Sequence, residues 1–194
     1  LKAQSTFRRH TLSLLLSELT AGSVEDARTR EETISLAEVI ERAHKAPPAL
    51  DALEALAPAD HVKIIAEVKR ASPSRGDMAD ISDPAALALS YAAAGASAIS
   101  VLTEERRFKG SLDDLDAVRS VVDVPVLRKD FIATDYQVYE ARAHRADIVL
   151  LIVAALEQAE LERLYALTLS LGMTALVETH SADEVSRAVD MGAA

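Results

Sequence analysis

Two ionisable side chains, Glu67 and Lys69, stand in an apolar run that reads Ile64-Ile-Ala-Glu-Val-Lys-Arg-Ala-Ser-Pro-Ser74. As a strand over 62–69, the run would alternate its side chains between two faces. Ile65, Glu67 and Lys69 would share one face, and Val62, Ile64, Ala66 and Val68 relate to the other. Burying a carboxylate and an ammonium beside a core is costly unless the two pair or do work. Ser72-Pro73 then breaks the strand, as a turn signal should. The two charges therefore sit at the C-terminal end of a buried strand, where parallel α/β folds carry their chemistry. Lys129 and Glu178 repeat the placement at the ends of two later apolar runs. Carboxylates and amines that converge in this way can shift one another's pKa and divide acid and base roles. Parity puts Arg128 on the opposite face from Lys129, which favours a structural ion pair. Asp130 and Glu104–Arg107 read as loop-forming or solvated groups.

The elements that must hold these residues alternate. Strands are expected at 62–69, 98–102, 124–129, 147–153 and 174–178, beginning about 28 residues apart, the spacing of repeated βα units in a parallel sheet. The intervening helices carry local start and stop signals. Asp83-Pro84 opens one helix and Gly95 ends it. Ser111 caps the next. Thr134-Asp-Tyr-Gln137 and Ser181-Ala-Asp-Glu184 are capping boxes, and Gly172 closes the helix over 157–171. Residues 1–60 form a different region, an N-terminal helical extension. Its helices are expected over 12–30, broken at Gly22, and over 35–45, with Pro47-Pro48 leading into a loop. Residues 61–194 form the α/β body.

Composition narrows the function. Hydrophobic residues make up 49% of the 194, with 4% aromatic and no Trp, so Ala, Leu, Val and Ile must build the core. A net charge of −10 argues against a nucleic-acid partner held by phosphate attraction. An anionic small molecule is still allowed, because a cleft can oppose the global sign. Without Cys there is no disulfide, thiolate metal site or Cys nucleophile, which fits a cytoplasmic protein. The five His show no ligand spacing, so no metal is expected, and no glycine-rich phosphate-loop motif is present. No apolar run reaches the roughly 18 residues of a membrane span, so no membrane partner is expected. Phe7-Arg8-Arg9-His10 before Leu14–Leu16 allows a secretory or twin-arginine signal. Ser13 and Glu18 interrupt that stretch and favour an amphipathic helix.

Five motifs in order give the chain a resemblance. They are Ile65-Ala-Glu-Val-Lys-Arg-Ala-Ser-Pro-Ser74, Leu102-Thr-Glu-Glu-Arg-Arg-Phe-Lys-Gly-Ser-Leu112, Pro125-Val-Leu-Arg-Lys-Asp-Phe131, Leu150-Leu-Ile-Val-Ala-Ala-Leu156 and Gly172-Met-Thr-Ala-Leu-Val-Glu178. With them the chain resembles indole-3-glycerol phosphate synthase, an enzyme family of tryptophan biosynthesis. The resemblance implies a (β/α)8 TIM barrel with an N-terminal helical extension, of which the first five βα units are present. It implies a carboxy-lyase without cofactor or metal. The reaction converts 1-(2-carboxyphenylamino)-1-deoxyribulose 5-phosphate, a phosphorylated small molecule, to indole-3-glycerol phosphate with loss of CO2 and water. By resemblance Lys129 matches the general acid of ring closure, and Glu178 the acid/base group of dehydration. Lys69 matches a lysine near the phosphate and substrate oxygens, and Glu67 its companion carboxylate. Ser72, with Pro73 beside it, looks like a substrate-carboxylate contact, and Phe108 and Phe131 look like walls for the anthranilate ring.

The sequence departs from the family after Met191-Gly-Ala-Ala194, where a sixth strand would follow. About three βα units of the roughly 28-residue repeat are not in the chain, and with them an Asn-x-Arg-Asp-Leu motif, a Glu-Ser-Gly motif and a glycine-rich loop. Phosphate sites in such barrels usually follow strands seven and eight, so most of the phosphate grip is expected elsewhere. A partial sequence is the expectation, supported by the absence of an initial Met. These residues alone are expected to be inactive and poorly stable, with two open sheet edges. The alternatives are a non-catalytic half-barrel or assembly module, and a related sugar-phosphate isomerase barrel. Some family members are fused to phosphoribosylanthranilate isomerase, and the sequence leaves fusion or association with other tryptophan-pathway enzymes open.

Overall fold

A computed structural model describes residues 2–193, with side chains from residue 14 onward. The side chains of Phe7-Arg8-Arg9-His10 and Ser13 lie outside the described residues. Helix α1 (Lys2–Glu31) runs without a break through Gly22. The expected break does not occur because Gly22 serves packing. The Arg106 side chain lies over it, its Cδ 3.3 Å from where a Cβ would stand, and reaches on to Asp26 and Glu25. Helix α2 (Leu36–Lys45) starts at the N-cap Ser35, whose hydroxyl accepts the Glu38 N–H. A short helix, α3 (Ala52–Leu56), follows where a loop was expected, capped by Asp51.

Five strands form one parallel sheet. They are β1 (Ile65–Val68), β4 (Ala98–Leu102), β5 (Val126–Lys129), β6 (Ile148–Ile152) and β7 (Thr174–Glu178), paired in that order. Between β1 and the next helix lies a small antiparallel hairpin, β2 (Ala71–Ser72) with β3 (Gly76–Asp77). Gly76 turns it at φ 62°, a conformation that disfavours a side chain. Helices α4 (Pro84–Ala93), α5 (Leu112–Arg119), α6 (Asp135–Ala143), α7 (Gln158–Ser170) and α8 (Ala182–Asp190) follow the five strands in alternation. Asp83, Ser111, Thr134 and Ser181 cap four of them. This is the architecture of a partial (β/α)8 barrel with an N-terminal helical extension.

The sheet has two unequal faces. Val68, Ile99, Val101, Val126, Val149 and Leu151 pack against Leu115, Val118, Val138, Leu161 and Leu164 of the helices. On the inner face Ala98, Leu127, Ile148, Leu150 and Ile152 form a second cluster, closed by Ala52 and Leu56 of α3 and by Leu16 of α1. The inner-face residues Ile65, Leu127 and Leu176 are buried only at the centre of the sheet. Leu127 is 2% exposed, whereas Ile65 and Leu176 are each 38% exposed, because β1 and β7 are the edge strands. The first strand is also shorter than expected. Ile65 is the first residue of β1 with a partner in β4, Ala98, and Val62, ahead of it, is 83% exposed.

The lower end of the sheet is tied by Asp147. Its carboxylate accepts the N–H groups of Leu50 and Val126 and is paired with Arg119 at 2.6 Å. The upper end is tied by a second buried network around Arg128, described below.

Candidate functional site

Because all five strands are parallel, their C-terminal ends share one edge, and the charged residues expected there are found there. The register sets their heights. Glu67 lies opposite Ser100, and Leu102 opposite Lys129. Lys69, one residue beyond the last paired position of β1, follows at the height of Leu102 and Lys129. Glu178 lies opposite Ile152, the last residue of β6.

The four groups form two pairs, where one convergent cluster was the expectation. Lys69 Nζ donates to Glu67 Oε1 at 2.6 Å, and the buried Ser100 hydroxyl donates to Glu67 Oε2 at 3.1 Å. Across β6, Lys129 Nζ donates to Glu178 Oε2 at 3.2 Å. Among the described residues no hydrogen bond or ion pair joins one pair to the other. The reason is their position: β1 and β7 stand at opposite edges of the sheet. All four side chains are about one-third exposed, so both pairs face solvent at the mouth. A cavity of about 380 Å³ opens beside the first pair, lined also by Asp80, Ile81, Leu87 and Tyr91.

An aromatic wall stands between the strands and the loops. Phe131 follows β5, and Phe108 lies in the loop after β4, with ring centroids 6.0 Å apart at a tilt of 46°. Glu104 shapes that loop. Its buried carboxylate accepts the N–H groups of Arg106, Arg107 and Phe108, a loop role as the sequence suggested. Gly110 closes the loop, where a Cβ would collide with the Leu102 carbonyl. Arg70, two residues past β1, donates to the Lys109 carbonyl of this loop at 3.3 Å and to Asp114 of α5, with Nη2 3.1 Å from Oδ1.

Ser72 and Pro73 sit on the β2–β3 hairpin. The Ser72 hydroxyl meets Ser74 at 3.5 Å, and neither residue lines the cavity beside Lys69. The structure thus brings together Glu67 with Lys69, Lys129 with Glu178, and Phe108 with Phe131, and leaves the hairpin pair apart from them.

Arg128 has the structural place that its parity suggested. It is fully buried on the helix side and donates to Asp130, Glu140, the Gln137 carbonyl and Thr103. Glu140 is gripped from its other side by Arg30 at 2.6 Å. Burial alone would raise the Glu140 carboxyl's pKa, but the Arg128 charge and the Arg30 bonds hold it below the usual carboxylate range.

Two groups at the mouth are not among the residues that the sequence singles out. Ser100 is one, an inward hydroxyl among apolar neighbours on β4. His180 is the other, two residues past β7, with Nε2 3.6 Å from Glu178 Oε1. Its charge depends on protonation. Strand alternation from Glu178 could have pointed to His180, had the reading been extended past the strand end. Among the described residues, no group of three or more His, Asp or Glu side chains is placed to hold a metal ion. No described helix is long and apolar enough to cross a membrane.

Comparison with known proteins gives the family. The sequence model of indole-3-glycerol phosphate synthase matches residues 16–194. A protein of that name from Leifsonia xyli is 65% identical over 179 residues, covering 92% of this chain and 69% of its own length. The Mycolicibacterium gilvum protein is 60% identical, with 92% and 65% covered, and one from Streptomyces coelicolor is 60% identical, with 92% and 66% covered. The chain thus spans about two-thirds of the length of these relatives. Matched along nearly its whole length by the family's own pattern, the chain belongs to the indole-3-glycerol phosphate synthase family.

Proposed function

We propose that this chain supplies the first five βα units, and most of the acid–base groups, of an indole-3-glycerol phosphate synthase. The substrate is 1-(2-carboxyphenylamino)-1-deoxyribulose 5-phosphate. The observation that carries the reading is the Lys129–Glu178 pair, a cation and a carboxylate 3.2 Å apart at the barrel mouth. The Phe108–Phe131 wall lies just past the strand that bears Lys129 and in the loop after the neighbouring strand.

The chemistry needs these groups in turn. The ring carbon bearing the carboxylate attacks the ketone carbon of the sugar chain. Lys129 gives a proton to the ketone oxygen as that C–C bond forms, which prevents a bare alkoxide from building up. CO2 leaves, and the electrons of the broken C–C bond restore the aromatic ring. The new hydroxyl then departs as water with a proton from an acid, while a base removes a proton from the adjacent methylene carbon beside the nitrogen, leaving the C=C of the indole. Glu178 serves this dehydration half. Lys69, steadied by Glu67, faces the substrate oxygens and phosphate from the opposite edge. Ser72, with Pro73, is assigned to the substrate carboxylate by resemblance alone, since the hairpin stands apart from both pairs. Most of the phosphate contacts come from the later third present in the relatives. No cofactor takes part.

The test joins this chain at Ala194 to the C-terminal third of the Leifsonia xyli relative. The chimera is expected to turn over the substrate, and the 194 residues alone are not. Lys129→Ala in the chimera should lower kcat by at least a thousandfold, while substrate affinity, measured by fluorescence titration, stays within about fivefold. Near-normal turnover in Lys129→Ala would end the assignment of Lys129 as the acid.

A further inference from the structure

Asp130 follows Lys129 directly, and its carboxylate is 5% exposed. Four donors from three separate segments converge on it. Oδ1 accepts the Ser23 hydroxyl of α1 at 2.9 Å and the Phe131 N–H at 2.8 Å. Oδ2 accepts the Thr103 hydroxyl at 2.6 Å and Arg128 Nη2 at 3.2 Å. The same Thr103 donates its N–H to the Lys129 carbonyl at 3.1 Å. The peptide between Lys129 and Phe131 is therefore clamped on both sides by one buried carboxylate and one threonine. Burial would raise the Asp130 carboxyl's pKa, but the Arg128 charge and the three neutral donors hold it below the usual carboxylate range. It is thus a fixed anion at neutral pH. The four donors fill the roughly four acceptor sites that a carboxylate offers.

The carboxylate has no hydrogen bond to Glu67, Lys69 or Glu178. What it fixes is the backbone on which Lys129 and Phe131 stand. A lysine has a flexible four-carbon stem, so the precision of its ammonium depends on how firmly its Cα is held. A misplacement of about 1 Å at such a group can cost about a hundredfold in rate. Ser23 is buried in α1 and 107 residues from Asp130, so the N-terminal helix reaches the acid through this carboxylate.

We infer that Asp130 is the positioning residue of Lys129, held in register by Ser23 and Thr103, so that α1 sets the rate of the chemical step and not only the stability of the fold. This rests on the proposed role of Lys129. In the chimera described above, Asp130→Asn should lower kcat by tenfold or more with KM within threefold. Ser23→Ala, a milder change that keeps the anion, should lower kcat three- to tenfold, and Ser23→Thr, which keeps the hydroxyl, should restore it. Amide hydrogen exchange over 129–133 should quicken at least threefold in Ser23→Ala, with β6 unchanged. If Lys129→Ala is dead while Ser23→Ala and Asp130→Asn lose only melting temperature, the inference fails and the proposed function stands. If Lys129→Ala is active, the proposed function fails and takes the inference with it. A chimera without turnover would overturn the activity reading, and unchanged exchange at 129–133 would then overturn the clamp itself.

Discussion

The two faces of the sheet are built from the same five strands, yet they are buried by different means. On the outer face each strand is covered by helices that follow within one βα unit. Val101, Val149 and Leu151 are each fully buried there. On the inner face a side chain is covered only by residues far away in sequence. Ile148 and Leu150 find cover from α3 and α1, but Ile65 and Leu176, at the edges, remain more than one-third exposed. Burial obtained locally survives in a five-strand sheet, and burial that needs a closed circuit of strands does not. Both charged pairs of the mouth touch an edge: Glu67 lies in β1 with Lys69 just past it, and Glu178 lies in β7 and meets Lys129 of the inner strand β5.

The largest effect should come from the outer face. Arg128 is fully buried against Asp130 and Glu140. Truncating it leaves two buried carboxylates short of a cation, and such losses cost about 3–5 kcal/mol. Arg128→Ala should lower the urea midpoint accordingly. The pH dependence sharpens the point. Asp130 and Glu140 are both held below the usual carboxylate range. Their contribution is therefore full above that range and is lost as pH falls through their depressed values. Stability at pH 3 relative to pH 7 should drop steeply in the parent chain and less in Arg128→Ala. An equal drop in both would mean that other carboxylates govern the acid limb.

A matched pair of leucines tests the contrast between faces directly. Leu161, on α7, is fully buried in the outer layer, so Leu161→Ala should cost about 2–5 kcal/mol. Leu176, on the inner face of β7, is 38% exposed. Leu176→Ala should cost under about 1 kcal/mol, since a part-exposed side chain loses little transfer free energy and leaves no cavity. Equal costs in urea denaturation would show that the inner face is covered in solution, and the contrast would collapse.

What could be read from the sequence follows the same division. β4 and β7 occupy the residues expected, and Asp83, Ser111, Thr134 and Ser181 cap the helices they were expected to open. These are local signals, set by strand alternation and by one hydroxyl or carboxylate reaching an N–H three residues on. The errors are non-local. Gly22 reads as a helix breaker until Arg106, distant in sequence, is seen to lie over it. Val62 reads as strand until the start of β4 leaves it without a partner. The hairpin of β2 and β3 was missed because two-residue strands leave no periodicity to detect. At the mouth, parity placed Glu67, Lys69, Lys129 and Glu178 at the right edge of the sheet. It could not say that they would meet as two pairs, because that depends on strand register and on which strands are edges. Asp130 reads as a loop residue for the same reason: two of its four donors, Ser23 and Thr103, come from elements distant in sequence.

The smallest prediction asks whether local structure is equally firm at the centre and at the edge. Thr134 caps α6 in a full capping box, with Gln137 returning a bond to the Thr134 N–H at 3.1 Å. Gln137 is fully buried, and α6 packs against α2 and α7. Ser181 caps α8 by accepting the Glu184 N–H at 3.2 Å, while the Glu184 carboxylate bonds the His180 N–H at 2.8 Å in place of the Ser181 N–H expected of a capping box. Removing either hydroxyl should cost about 1 kcal/mol if the helix it caps is part of the global cooperative unit. Helix α8 packs on the turn after β6, where Arg187 donates to the Val153 and Leu156 carbonyls, and leaves Val185 and Val189 exposed, so its opening is expected to precede global unfolding. Thr134→Ala should therefore show the full cost in the urea midpoint. Ser181→Ala should show little there, and instead speed amide exchange within α8 several-fold. A full midpoint shift for both would mean that α8 unfolds only with the centre, and that an open inner face does not loosen the last helix.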